Sequence, residues 1–290
     1  MNKIKNIFYT SIALILALFF GYLATRESYS KEHPVISEDL LVEFIDVGQG
    51  DCIFISSNNH NMLIDAGNNA DGKKLVKYFQ DKGVESFDLV VSTHPHEDHM
   101  GGLDNILKSF KTNEIIMPDI TTTTKTFEDV VNVIEEKNLN LVIPSIGAKY
   151  SLGDSVIEVI YLDDNEDDLN ESSIVLKLTY KNVTFLFTGD STIDSESHYL
   201  DKDIKADVLK VAHHGSKYST SNSLLDKVQP EFAIISLAKD NDYYYPHEAT
   251  IKRLKNHNSK IYLTSELGTI IVKSDGTNIE ISNKKTNTNG

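Results

Sequence analysis

His94-Pro95-His96-Glu97-Asp98-His99 sets four metal-binding side chains within six residues. Imidazole and carboxylate together suit zinc, and also manganese or iron, at a hydrolytic centre. The stretch follows the apolar run Leu89-Val90-Val91-Ser92-Thr93, which reads as a buried strand. The ligands therefore fall on the loop at the strand's C-terminal end, a rigid platform for chemistry. The segment reads as a hairpin-like loop, aiming His94 and His96 at one metal and Asp98 and His99 at another. A polar surface loop that happens to be His-rich is the bland alternative, and the downstream residues argue against it. Phe185-Leu186-Phe187-Thr188 is a second apolar strand, ending in Gly189-Asp190, where a carboxylate could bridge two cations. Val208-Leu209-Lys210-Val211-Ala212 is a third, ending in His213-His214-Gly215-Ser216. Each pattern alone is weak to modest evidence; the three in this order are strong evidence.

The elements that must position these residues fall into two halves of similar grammar. Leu40-Val47, Cys52-Ile55, Met62-Ile64 and Leu89-Thr93 read as strands, with amphipathic helices at Lys73-Lys82 and Leu103-Lys111. A short strand at Ile115-Met117 and a helix at Thr126-Lys137 follow. In the second half, Ile157-Leu162, Ile174-Tyr180, Val183-Thr188, Val208-Ala212, Phe232-Ser236, Lys260-Thr264 and Thr269-Lys273 read as strands. Helices are expected near Ser221-Val228 and His247-Asn256. Meandering strands followed by strand–helix alternation predict two sheets packed face to face with helices outside, an α/β (α+β) αββα sandwich. The expected boundaries are a domain over 40–282 and a polar tail over 283–290, with disorder from Ser282 onward.

At 290 residues the chain can bury a full core as one domain plus a leader. Its 28 Lys+Arg against 43 Asp+Glu give a formal net charge of -15, which argues mildly against tight nonspecific binding of polyanions. Bound cations would offset that charge locally. The acidic run from Asp163 to Asp168 reads as a solvated loop without calcium-loop spacing. Tyr243-Tyr244-Tyr245 could stack bases, although such a run more often packs on its own domain. Cys52 is the single cysteine, so no intramolecular disulfide forms, and its strand-like setting marks it as a small core residue. Lys3 and Lys5 precede the uncharged run from Ile7 to Thr25, long enough for a membrane helix. Residues 1–25 are thus expected to be an anchor, favoured over a cleaved signal, with 26–39 a tether. Either reading puts the domain outside the cytoplasmic membrane.

Taken together, these motifs resemble the metallo-β-lactamase superfamily and, within it, the ComEC-type competence hydrolases. The resemblance rests on Phe44-Ile45-Asp46-Val47-Gly48-Gln49-Gly50-Asp51, Leu63-Ile64-Asp65-Ala66-Gly67, Thr93 to Gly102, Thr188-Gly189-Asp190, Val208 to Ser216, Ile234-Ile235-Ser236 and Tyr245-Pro246-His247. It spans roughly Leu40 to Ile281. It implies two divalent metal ions, zinc favoured and manganese the other candidate. His94 and His96 would bind one; Asp98 and His99 would orient or bind the second; Asp190 would bridge both; one of His213 and His214 would complete the second site. Two cations held close lower the pKa of a shared water, giving a hydroxide nucleophile near neutral pH.

Asp98 and His247 are the candidate catalytic groups, and Asn170 and Ser216 the candidate substrate contacts. Two departures stand out. The stretch where many relatives carry another metal-ligating histidine is here Asn170-Glu171-Ser172-Ser173, and Tyr245 stands where relatives often have histidine. The implied function is phosphodiester hydrolysis, on single-stranded DNA or a cell-wall polymer, with a membrane channel as a further partner. A phosphorylcholine-type esterase of cell-wall polymers is the alternative, as is a metal-binding accessory domain with little turnover.

Overall fold

The computed structural model describes residues 39–163 and 168–285. The expected membrane segment, the tether up to residue 38, the middle of the acidic run and the last five residues lie outside the described residues. Among the described residues no helix is long and apolar enough to cross a membrane.

Two sheets carry the fold. The first has eight strands: β1 (Leu40–Phe44), β2 (Ile53–Ser57), β3 (His60–Ile64), β4 (Ser86–Val91), β5 (Lys111–Ile116), β6 (Leu141–Val142), β14 (Thr269–Ser274) and β15 (Ile279–Lys284). The second has seven: β7 (Lys149–Leu152), β8 (Ser155–Tyr161), β9 (Val175–Tyr180), β10 (Val183–Phe187), β11 (Val208–Lys210), β12 (Phe232–Ile235) and β13 (Lys260–Leu263). Strand order is β15-β14-β1-β2-β3-β4-β5-β6 in one and β13-β12-β11-β10-β9-β8-β7 in the other. Antiparallel pairing gives way to parallel pairing from β3 to β6 and from β10 to β13.

Side chains alternate across each strand, and here both faces are covered. Phe44, Ile55, Met62, Leu176, Phe185 and Phe187 point into the layer between the sheets. Their neighbours Phe54 and Leu63 point outward, beneath the helices Gly72–Asp81, Leu103–Ser109 and Lys125–Glu136. Leu186 and Leu209 do the same on the other side, under Asn222–Val228 and Glu248–Asn256. Two-sided burial explains why these strands read as almost continuous apolar runs, and it confirms the αββα sandwich.

Two expectations are corrected. The segment after His96 is a one-turn helix, Glu97–Met100, rather than a hairpin. It closes because Met100 N and Gly101 N donate to His96 O and Glu97 O, while Glu97 and Asp98 occupy its positive N-terminal end. The expected tail also starts later, since Ser282 to Lys284 pair with β14.

Candidate metal centre

The predicted metal ligands lie on segments that follow strand ends, Asp98 and His99 on the one-turn helix beyond β4. β4 runs out into Thr93-His94, β10 into Gly189-Asp190, and β11 into the turn Ala212–Gly215. Crevices beyond the carboxyl ends of parallel strands are where open α/β sheets place their ligands. Backbone bonds brace these ends: His213 N donates to Gly189 O at 3.1 Å, joining the ends of β10 and β11, and Ile174 N, just before β9, donates to Thr93 O beyond β4 at 3.0 Å.

The donors converge in two overlapping groups. His94, His99 and Asp190 have ligand atoms within 4.8 Å of one another, as do Asp98, His99 and His214. His96 joins the first group, its Nδ1 lying 3.0 Å from His94 Nε2. Asp190 Oδ2 lies 3.3 Å from His99 Nε2 and 3.5 Å from His214 Nε2. His214 Nε2 is also 3.2 Å from Asp98 Oδ2. His99 is thus common to both groups, and Asp190, of the first, also reaches His214 of the second.

The two histidines of the doublet sit in different settings. His213 and His214 both adopt left-handed backbone (φ 49° and 52°), uncommon for residues other than glycine. His214 is buried; its Nδ1 donates to Ser236 O at 2.9 Å, which turns Nε2 into the cluster. His213 stays at the rim, with Nε2 3.3 Å from the Tyr245 hydroxyl and 3.8 Å from Asp190 Oδ2.

Charge is unevenly shared. Burial pushes His94 toward its neutral form, with His99 adding to the effect. Burial opposes charge on His99 too, but Asp190, Asp65 and Asp98 outweigh it and hold its pKa well above the usual range. His214 is raised in the same way, by Asp190 and Asp98 against burial. The Asp190 carboxyl would rise on burial, yet His99, His214 and His213 hold it well down. A divalent cation held at the Nε2 atoms of His99 and His214 would displace their protons and take over as counter-charge for the clustered carboxylates.

The residues fit divalent cations. His99 Nε2, His214 Nε2 and Asp190 Oδ1 are buried without a hydrogen-bond partner, and both ring nitrogens lie within 3.5 Å of Oδ2 of that same carboxylate. Orphaned atoms of this kind are costly unless a ligand satisfies them. A mixed imidazole–carboxylate set matches zinc or manganese and excludes neither.

Sequence reasoning assigned no role to a supporting layer. Asp65 accepts from Thr93 N, Thr93 Oγ1 and His99 Nδ1 at 2.7–2.8 Å. Asp51 pairs with Lys210 at 2.7 Å, both fully buried, and its Oδ1 lies 3.6 Å from His214 Nδ1. Asp51 N also holds Asp98 O at 3.0 Å. The legible signal was Lys210, a cation inside an apolar strand run, which demands a buried partner.

The predicted substrate residues separate. Asn170 lines the cleft, a space of about 260 Å³, with a buried Oδ1 that has no partner. In the stretch that lacks the expected histidine, Ser173 Oγ instead lies 3.3 Å from His94 Nδ1 and accepts from Asp190 N. Ser216 is buried and its Oγ accepts from Tyr218 N. His247 precedes the helix Glu248–Asn256; its Nδ1 accepts from Lys217 N at 3.0 Å, and its ring meets the edge of Tyr245.

Two face-to-face sheets with a His/Asp donor cluster at their strand ends define a metallohydrolase scaffold. The family model of the Metallo-beta-lactamase superfamily matches residues 45–239, and the chain belongs to that superfamily. It is similar to ComE operon protein 3 of Bacillus subtilis (strain 168), 29% identical over 259 residues, covering 82% of this chain and 33% of the relative. It is also similar to Recombination protein 2 of Haemophilus influenzae, 30% identical over 250 residues, covering 84% of this chain and 30% of the relative. The chain thus spans about a third of the length of these relatives. Among solved structures, the metallo-beta-lactamase fold protein YhfI of Bacillus subtilis superposes with a TM-score of 0.56 at 13% identity, over 81% of this chain and 100% of that one. That likeness speaks to the fold.

Proposed function

We propose that the chain is a binuclear metal-dependent phosphodiesterase, acting on single-stranded nucleic acid outside the cytoplasmic membrane. The observation that carries this reading is the reach of Asp190 Oδ2 to both His99 Nε2 and His214 Nε2, in a cluster that also gathers His94 and Asp98. His94 and His96 would hold one cation and Asp98, His99 and His214 a second, with Asp190 within reach of both groups. When bound, divalent cations supply Lewis acidity that acidifies water and neutralises charge on phosphoryl oxygens. Asp98 and Asp190 orient the attacking water by accepting its protons' hydrogen bonds. Tyr245 and His213, linked at the rim, are placed to give a hydrogen bond or a proton to the departing oxygen. Asn170 offers its unfilled carbonyl oxygen to the substrate. His247 braces the rim through Lys217 N and Tyr245, one step removed from the cleft.

The competence and recombination relatives support a role in DNA uptake, with a membrane channel as partner and the N-terminal segment as anchor. A cell-wall phosphodiester is the neighbouring reading. One observation favours a second class, a metal-binding accessory domain with little turnover: Ser173, not a histidine, faces His94 in the first set. Release of p-nitrophenol from bis(p-nitrophenyl) phosphate by the zinc- or manganese-loaded protein separates the two. Turnover lost in a folded Asp98→Ala variant supports the enzyme; no turnover by the metal-loaded wild type supports the accessory domain.

A further inference from the structure

The cleft has an aromatic wall that the ligand chemistry leaves unused. Tyr243 lines the cleft yet is 60% exposed, and Tyr244 beside it is 86% exposed. The rings of Tyr243 and Tyr245 stack, with centroids 5.4 Å apart and planes 16° from parallel. Tyr245 in turn touches the donor cluster through His213. One face of Tyr243 is therefore backed by a ring that leads to the metal centre, and most of its remaining surface is open.

This loop packs Tyr245 against the core but leaves Tyr243 and Tyr244 exposed, where a tyrosine run usually packs away. It is nevertheless well fixed. Asn241 Nδ2 donates to Ala238 O and Tyr245 O, and Asn241 Oδ1 accepts from Tyr245 N, at 2.8–3.0 Å. Tyr244 holds a left-handed φ of 59°, a costly conformation for a bulky side chain whose exposure returns no packing. Gln49, in the same cleft, accepts from Ala238 N and leaves a buried Nε2 donor without a partner. A flat, preorganised π surface beside an unfilled donor suits a planar ring carrying acceptor atoms.

We propose that Tyr243, backed by Tyr245, is a stacking subsite for an unpaired nucleobase flanking the phosphodiester to be cut. The inference rests on the phosphodiesterase reading and adds how an acidic protein holds a polyanion. With a net charge of -15, and Lys239 outnumbered by Asp240 and Asp242 on the loop itself, cationic grip is poor. Stacking is charge-neutral, tolerates every base, and needs a single strand whose bases are free. Binding should accordingly depend only weakly on salt.

The test uses the full chain, reloaded with zinc, and two strands of equal length: a thymidine oligonucleotide and its abasic counterpart. Cleavage kinetics are measured on both, and equilibrium binding by fluorescence anisotropy on metal-stripped protein. Tyr243→Ala is expected to raise KM and Kd for the thymidine strand about tenfold, within the range a base–aromatic stack is worth, with kcat little changed. Tyr243→Phe restores both. The abasic strand is expected to bind about tenfold more weakly to wild type and to ignore the substitution. Equal effects on the two strands, or none on either, overturn the subsite. So does tighter Tyr243-dependent binding of a base-free poly(glycerol phosphate). If neither strand is cleaved but binding keeps its dependence on bases and Tyr243, the phosphodiesterase reading fails and the subsite stands.

Discussion

His99 Nδ1 lies 2.8 Å from Asp65 Oδ2, and both side chains are fully buried. The bond fixes which ring nitrogen faces the cluster, because a histidine donating from Nδ1 presents Nε2 to a metal. Asp65 is anchored in its turn by Thr93 N and Thr93 Oγ1. Asp65→Asn is therefore expected to weaken metal binding about 10–100-fold while the protein still folds. Competition with a chromophoric chelator reads the affinity; an unchanged value would remove Asp65 from the supporting layer.

The Asp51–Lys210 pair, directly behind the candidate ligands His214 and Asp98, predicts a large stability effect. Removing one member of a buried pair strands the other's charge, at a cost of about 3–5 kcal/mol. Lys210→Met should lower the urea midpoint accordingly, and adding Asp51→Leu should recover part of the loss. A Lys210→Met protein as stable as wild type would show that Asp51 finds another partner.

Gly101 is required by close approach, not by its dihedral angles. A Cβ there would overlap Asn69 N, the Asn68 carbonyl carbon and Glu97 O, all backbone atoms. Gly101→Ala must push the turn Glu97–Met100 away from Asn68 and Asn69, moving Asp98 and His99. Calorimetric titration with zinc should show weaker binding together with a lower Tm; full affinity would mean that the turn tolerates the shift.

Glu196 supplies a pH dependence remote from the metal centre. Burial raises its carboxyl pKa, against hydrogen bonds from Ser221 and Thr220 and the charge of Arg253. An acid whose folded pKa is raised binds its proton more tightly in the native state. Its ionisation therefore costs stability as pH climbs from the ordinary glutamate value through the raised one. Denaturation midpoints of wild type and Glu196→Gln, compared across pH, should show wild type's relative standing falling over that window. A pH-independent difference would contradict the shift.

Much of this site was legible because each ligand follows an apolar strand run, so type and position coincide at His94, Asp190 and His214. What escaped falls into three physical groups. Edge strands were missed: β7 and β15 carry Lys, Ser and Asn on exposed faces, and β6 has two residues, too few for a period. The turn holding Asp98 and His99 was misread for the same reason, since four residues show no helical repeat. The supporting layer escaped because its pairs, Asp65 with His99 and Asp51 with Lys210, form only when distant strands meet. The doublet was ambiguous because left-handed backbone at His213 and His214, invisible in the sequence, decides which ring turns inward.

The most direct measurement is cleavage of single-stranded DNA by the metal-stripped and zinc-reloaded protein, run beside a folded Asp190→Asn variant. The account predicts cleavage only when metal is restored, and a loss of more than about 100-fold in the variant, since even groups that merely support ligands are worth about 10–100-fold. No cleavage by a folded wild type carrying two metal ions, or undiminished cleavage by Asp190→Asn, would contradict it.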